Sequence, residues 1–313
     1  MKNKLTLTGA NKLFFAFTVV FLAYQFIAAF FLGEVLYDNI YTIIIINEVL
    51  VASFVLIYCF ARKIDIRETF RIKKLGLAPA LFITLLSVPL FLAATMLNNF
   101  VVYGLQFIAD LPPQSLPVPK TPGELAVAVL ITGVMPGVCE ELMHRGFLLT
   151  AYERRGSYRA VVIVAILFGL FHFDIMNLLG PIFLGAVFGY YVIRTDSIFA
   201  GILAHFLNNA IVVVIQYLWG DPSSVESLSL SWQELLGIIT IGVPALAVAA
   251  VLLFLFKQIT EGKTRIVQPV SRPGKDVKTV LSHWPIAAVM VLYIIMAILN
   301  LVLMMLMKFF TLQ

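Results

Sequence analysis

Three sets of polar residues interrupt otherwise apolar stretches of this chain: Glu140-Glu141-x-x-x-Arg145, Phe168-x-x-x-His172 and His205-x-x-x-Asn209. An ionisable side chain in hydrocarbon costs roughly 2.5–3.5 kcal/mol on insertion scales. Two carboxylates, an arginine and two histidines on neighbouring apolar segments therefore point to a reaction centre. On a helix Glu141 and Arg145 lie one turn apart on the same face and can pair. Glu140 lies about 100° further round, so one carboxylate can be neutralised while the other faces a cavity and serves as a general base. His205 and Asn209 share a helix face and can reach one atom, either as two hydrogen-bond donors to an oxyanion or as a metal ligand backed by an amide. The plainer readings are an interhelical ion-pair knot for the glutamates and an interhelical hydrogen bond for a lone membrane histidine. The combination is what favours a site.

Other polar residues are weaker candidates. Glu140 and His144 are spaced like half of a zinc-protease helix, but Val138 and Cys139 stand where H-E-x-x-H needs its first histidine. His144 is thus expected to line or cap rather than to ligate. Asn47-Glu48 is an intramembrane polar pair expected to make a structural contact or line a cavity. His283 beside Trp284 is expected to anchor at an interface. Cys59 and Cys139 both fall in apolar runs and read as small core residues, not a disulfide. Pro136-Gly137, just before the glutamates, predicts a kink.

The elements that must position these residues are membrane helices. Of the 313 residues, 61% are hydrophobic and 12% charged, about half the charge of a soluble domain, and mean hydropathy is +0.99. The formal charge of +5 marks cytoplasmic loops, not a nucleic-acid surface. Apolar runs of about 20 residues, enough to cross ~30 Å of hydrocarbon, recur near 13–32, 40–61, 79–104, 124–150, 159–176, 177–194, 197–219, 234–257 and 285–308. The pair 159–176 and 177–194 is separated by almost no loop around Asp174 and Asn177, and is the place for a re-entrant or tilted element. The first run, with no small-residue cleavage site after it, is expected to remain as a helix.

The connections alternate in charge. Lys2, Lys4 and Lys12 open the chain, whereas Glu34 and Asp38 follow the first run. The 62–74 loop holds Arg62, Lys63, Arg67, Arg71, Lys73 and Lys74, and reads either as an ordinary topology-setting loop or as a segment lying on the anionic inner leaflet. The Pro-rich stretch from Leu111 to Pro119 is an extended connector. Arg154, Arg155 and Arg159 follow the fourth run. The 219–233 loop has Asp221 and Glu226 and no Lys or Arg, and 257–284 is basic again, with Lys263 and Arg265 among its charges. The expected fold is therefore an all-α polytopic transmembrane bundle of about eight or nine spans. Its amino terminus lies inside, its carboxyl terminus outside, and its active site in an intramembrane cavity. It divides into membrane spans 1–123 with a basic cytoplasmic loop, a core 124–219 that holds all three motifs, and membrane spans 220–313 with a second basic loop. Depth counting places Glu140 nearer the inner side and His172 nearer the outer, so a kink at Pro136 or a non-straight 159–176 must bring them together.

In order and on separate spans, the motifs resemble those of the CPBP family of intramembrane proteases, which includes the CAAX prenyl endopeptidases of the Rce1 type and bacterial relatives once called Abi proteins. The family pattern E-E-x-x-x-R, F-x-x-x-H, H-x-x-x-N reads here Glu140-Glu141-Leu-Met-His-Arg145, Phe168-Gly-Leu-Phe-His172 and His205-Phe-Leu-Asn-Asn209. Arg145-Gly-Phe-Leu and Gly185-Ala-Val-Phe-Gly189 extend the likeness over roughly 124–215. The resemblance implies an endopeptidase in the plasma membrane of a bacterium, acting on a peptide or membrane protein, with CAAX-type processing as the best-known family target. Glu140 and His172 would position and deprotonate a water, His205 and Asn209 would stabilise the oxyanion, and Glu141–Arg145 would hold the helix in register. Family members are described both as metalloproteases and as metal-independent, which leaves the cofactor open: none, or a zinc held by Glu140, His172 and His205. Two rival readings are a non-catalytic immunity or scaffold protein and a proton-coupled transporter. The latter lacks any inverted repeat in the sequence.

Overall fold

The computed structural model describes residues 4–37, 39–112, 117–220, 228–262, 264, 266–269 and 271–311. Of the residues used above to assign loop charge and connectors, Lys2, Asp38, residues 113–116, Asp221, Glu226, Lys263, Arg265 and the side chain of Glu34 lie outside the described residues. The helices are α1 (Leu7–Tyr37), α2 (Ile40–Ala61), α3 (Leu77–Leu105), α4 (Pro122–Arg155), α5 (Ser157–Phe171), α6 (Leu179–Thr195), α7 (Ile198–Trp219), α8 (Trp232–Ile259), α9 (Pro273–Leu281) and α10 (Trp284–Thr311). No strand forms among the described residues, and an isolated antiparallel bridge joins Leu111 and Leu228. The chain is an all-α, multi-pass membrane bundle. Seven helices, α1–α4, α7, α8 and α10, are long and apolar enough to cross a membrane.

The other two apolar helices depart from the nine-span reading. α5 has 15 residues and α6 has 17, hence about 22 and 26 Å at 1.5 Å per residue, short of ~30 Å of hydrocarbon. They pack antiparallel over a ladder of glycines. An added Cβ would lie 2.4 Å from Ile182 at Gly169, 3.2 Å from the Ala165 Cα at Gly185 and 3.3 Å from Val161 at Gly189. Small residues let two backbones approach closely where apolar solvent supplies no drive to associate. The hairpin tip is held inside the protein by Asn98 of α3, whose Oδ1 accepts from the Gly180 N–H (2.7 Å) and whose Nδ2 donates to Asn177 Oδ1 (2.6 Å). Asn98 lies seven residues before the end of α3, so the tip stops about 10 Å short of that end. α5 and α6 form a hairpin of two helices each shorter than the hydrocarbon is thick, where the sequence suggested two spans or a re-entrant or tilted element.

The open end of the hairpin meets the basic loops. Arg71 pairs with Glu153 and, at 3.6 Å, with Asp196, and Lys73 pairs with Asp196. Arg155 and Arg159 both pair with buried Asp276 of α9. Burial opposes ionisation of Asp276, but hydrogen bonds from Ser271, Arg155 and Arg159 outweigh it and hold the carboxyl at about 2. Arg71 and Lys73 thus bind the loop to the protein, as an ordinary topology-setting loop would. On this side Phe14 and Phe17 of α1 pack with Val55, Phe147 and Tyr152. The Tyr152 hydroxyl donates to Asn11 Oδ1 (2.7 Å), and Asn11 Nδ2 donates to His283 Nδ1 (2.9 Å). His283 therefore joins α1 to α10, while Trp284 beside it is exposed. Cys59 and Cys139 are free.

Candidate active site

α4 carries the glutamates and is not a regular helix. Val129–Val134 and Leu142–Leu148 are π-helical, with an α segment Met135–Glu141 between them. Such insertions turn the following residues to a new face, and they concentrate at functional sites. Pro136 has no N–H to offer the carbonyl of Thr132 four residues back. That carbonyl accepts from Asn209 Nδ2 of α7 at 3.0 Å. Asn208 Nδ2 donates to Asn209 Oδ1 at 3.1 Å. One Asn209 N–H is therefore committed to the distorted helix, and its second remains for another acceptor. α4 and α7 approach closely here: a Cβ on Gly137 would lie 3.2 Å from the Phe206 nitrogen.

Glu141, Arg145 and His205 form one buried network. Arg145 Nη1 donates to Glu141 Oε1 at 2.7 Å, with both side chains fully buried, and Arg145 Nη2 donates to the Gly185 carbonyl at 3.3 Å. His205 Nδ1 lies 3.0 Å from the same Glu141 Oε1. A carboxylate paired with arginine only accepts, so Nδ1 carries the proton and Nε2 turns toward Glu140. Glu140 is buried, its Oε2 has no hydrogen-bond partner and lies 4.0 Å from His205 Nε2.

His172 arrives from the hairpin. It caps α5, and its Nδ1 donates to the Phe168 carbonyl at 2.8 Å, which leaves Nε2 as an acceptor. Phe173 then takes a left-handed φ of 50° and turns the chain toward the tip. The depth mismatch expected from sequence is resolved because α5 ends inside the protein, so that His172 never reaches the far surface. Phe168 packs against four polar groups: the Arg145 guanidinium lies 4.2 Å over its ring, and the rings of His144, His172 and His205 lie 4.9, 5.0 and 5.7 Å away.

A cavity of about 560 Å³ joins these residues, lined by Glu140, His172, His205 and Asn209 among others. Glu141 and Arg145 stand behind that wall. His144 does not line the cavity: it is fully buried, its Nδ1 donates to the Glu140 carbonyl at 2.9 Å, and its ring packs edge-on against Phe168 and Phe171. Among the described residues no three His, Cys, Asp or Glu side chains converge as a metal-ligand set. The arrangement presents a carboxylate and two basic imidazole nitrogens to one polar space in an apolar protein. Such groups can accept protons and, once protonated, donate to a developing anion.

Residues 122–211 match the family model "Type II CAAX prenyl endopeptidase Rce1-like". This match, to a segment of the chain, makes it similar there to the Rce1-like endopeptidases. That segment holds all three motifs. A similar protein is the Bacillus subtilis (strain 168) protein named "Putative membrane peptidase YdiL", 29% identical over 89 residues. The likeness covers 28% of this chain and 36% of that protein, so the chain matches little more than a third of its relative's length. No solved structure matches the chain significantly.

Several cavity residues fall outside the Rce1-like segment or its motifs. Glu48 of α2, Asn98 of α3, Asn177 at the hairpin tip and Gln216 of α7 all line the space. Glu48 was legible as an intramembrane acid. Gln216 lies 11 residues beyond His205 on the same apolar helix, about three turns, and that spacing was its only signal. Asn98 is one of two adjacent asparagines in an apolar run, with nothing in the sequence to say which faces inward.

Proposed function

We propose that the chain is an intramembrane endopeptidase that hydrolyses a peptide bond with a water activated by Glu140 and His172. The convergence of Glu140, His172 and His205 on one buried cavity, from three separate helices, carries this reading. A water between Glu140 and His172 gives one proton to the Glu140 carboxylate as its oxygen bonds the substrate carbonyl carbon. The carbonyl π pair becomes an oxyanion. His205 can donate to it from Nε2 once that nitrogen carries a proton, while the Glu141 carboxylate accepts from Nδ1. The remaining N–H of Asn209 points the same chemistry at the oxyanion. Collapse of the tetrahedral species breaks the C–N bond, and the proton held by Glu140 passes to the leaving nitrogen. Glu141 and Arg145 act as positioning residues through His205. The substrate is a peptide or membrane protein reached within the bilayer of a bacterial plasma membrane, CAAX-type tails included.

The test compares new peptide termini in membranes holding wild-type protein or Glu140→Ala, with abundance and folding in detergent matched. Termini seen only with wild type are expected, and His205→Ala should abolish them too. Identical termini in all three samples would overturn the reading in favour of an immunity or scaffold protein, whose effect would survive Glu140→Gln.

A further inference from the structure

Glu48 is the cavity acid that the proposed reaction does not use. It sits on α2 after a run of four isoleucines, is 5% exposed, and its Oε2 has no hydrogen-bond partner. α2 packs against the Met135–Glu141 stretch of α4, which puts Glu48 and Glu140 on the same cavity. A buried carboxyl without a partner is costly, and the protein supplies no cation to relieve it. Among the described residues, the cavity lining contains no Lys or Arg. Arg145, behind the wall, is already taken by Glu141. The polar lining is instead two carboxylates, two imidazoles, two hydroxyls and five carboxamides. Carboxamides suit peptide main chain, since each offers both a donor and an acceptor. The two carboxyls of this lining thus have no cationic side chain beside them in it.

We propose that Glu48 is a substrate-binding carboxylate, and that the cavity selects a peptide segment presenting a cationic side chain near the bond to be cut and disfavours one presenting an anion. A lysine or arginine brought in by the substrate would pair with Glu48, a charge-assisted contact stronger than a neutral one. An acidic side chain near the bond would meet Glu48 and Glu140 together in a water-poor space, where like charges repel strongly. This rests on the peptidase reading for the nature of the occupant.

The experiment uses the full chain in nanodiscs and three fluorescent apolar peptides, blocked at both ends and differing at one central residue: Lys, Gln or Glu. Binding is read by anisotropy for wild type, Glu48→Gln and Glu48→Lys. Wild type is expected to hold the Lys peptide at least about tenfold more tightly than the Glu peptide, as one charge-assisted contact allows. Glu48→Gln should narrow that ratio severalfold with the Gln peptide bound as before, and Glu48→Lys should reverse the order. An equal ratio in wild type and Glu48→Gln, or no binding of any peptide, overturns the proposal. Cleavage of the same peptides is read separately. The expected binding order without cut products would refute the peptidase reading alone, whereas cut products with an unchanged order would refute the role of Glu48 alone.

Discussion

Substituting Gly201 by alanine tests whether the proposed chemistry depends on a carboxylate that never touches the cavity. A Cβ at Gly201 would lie 2.4 Å from Glu141 Oε2 and 3.2 Å from a Val192 methyl. Ordinary contact needs about 3.4 Å or more, so the carboxylate must retreat by about 1 Å. A surface glutamate would simply swing away. Glu141 is fully buried, and its other oxygen already accepts from Arg145 at 2.7 Å and from His205 at 3.0 Å. A retreat by 1 Å stretches one or both contacts and releases His205. Overpacking of this size destabilises by about 1–3 kcal/mol, and a 1 Å misplacement in a catalytic constellation costs on the order of 10²-fold in rate. The assay is cleavage per folded molecule in detergent or nanodiscs, with thermal unfolding followed in parallel. The expected result is a stable, lower-melting protein with kcat reduced on the order of a hundredfold and KM little changed. Unaltered kcat in a protein that melts lower would show that the Glu141–His205 contact does not serve the reaction.

Two further outcomes follow from the same structure. Arg145→Met should destabilise the protein by about 3–5 kcal/mol, because it leaves the Glu141 carboxylate buried without its guanidinium, with only the His205 contact remaining. Much of that loss should return in the Glu141→Gln/Arg145→Met double variant, and additive losses in thermal unfolding would contradict the pairing. On the basic side, the Asp276 carboxyl is held at about 2 against its ordinary 3.8. A depressed folded value means that the stabilisation is present above 3.8 and is lost as pH falls toward 2. Protection of the α9 amides, taken relative to their intrinsic exchange rate at each pH, should therefore stay high at about pH 5 and fall at about pH 2.5. Protection that is lost well above pH 4, or that stays unchanged throughout, would refute the assignment.

The long helices were legible because hydrocarbon imposes length and composition on whatever crosses it. The three motifs were legible because ionisable groups are rare in such runs. Backbone geometry showed only in part: Pro136 marked an irregular α4, and the near-absent loop at Asp174 and Asn177 marked 159–194 as the place for a re-entrant or tilted element. The hairpin read as two spans because α5 and α6 are as apolar as true spans. Only the glycines at 169, 185 and 189, together with the asparagine clamp at 98, make them pack as a short pair. Likewise the two π segments of α4 break the 3.6-residue count, so helical spacing across Val129–Leu148 does not predict which side chains share a face. His144 illustrates this: four residues from Glu140, it nevertheless points into the aromatic core while Glu140 lines the cavity. The role of Phe168 was hidden for another reason, since a phenylalanine in an apolar run carries no sign that four polar groups gather around it.

Each long helix moves the chain from one face of the bilayer to the other, so the loss or gain of one such helix would invert everything after it. The α5–α6 hairpin is exempt, because it returns to the face from which it departed. The wall that carries His172 can therefore be lengthened, shortened or reshaped over evolution without reversing α7, on which His205 and Asn209 depend. The depth at which a bond is presented is thus separable from the orientation of the molecule.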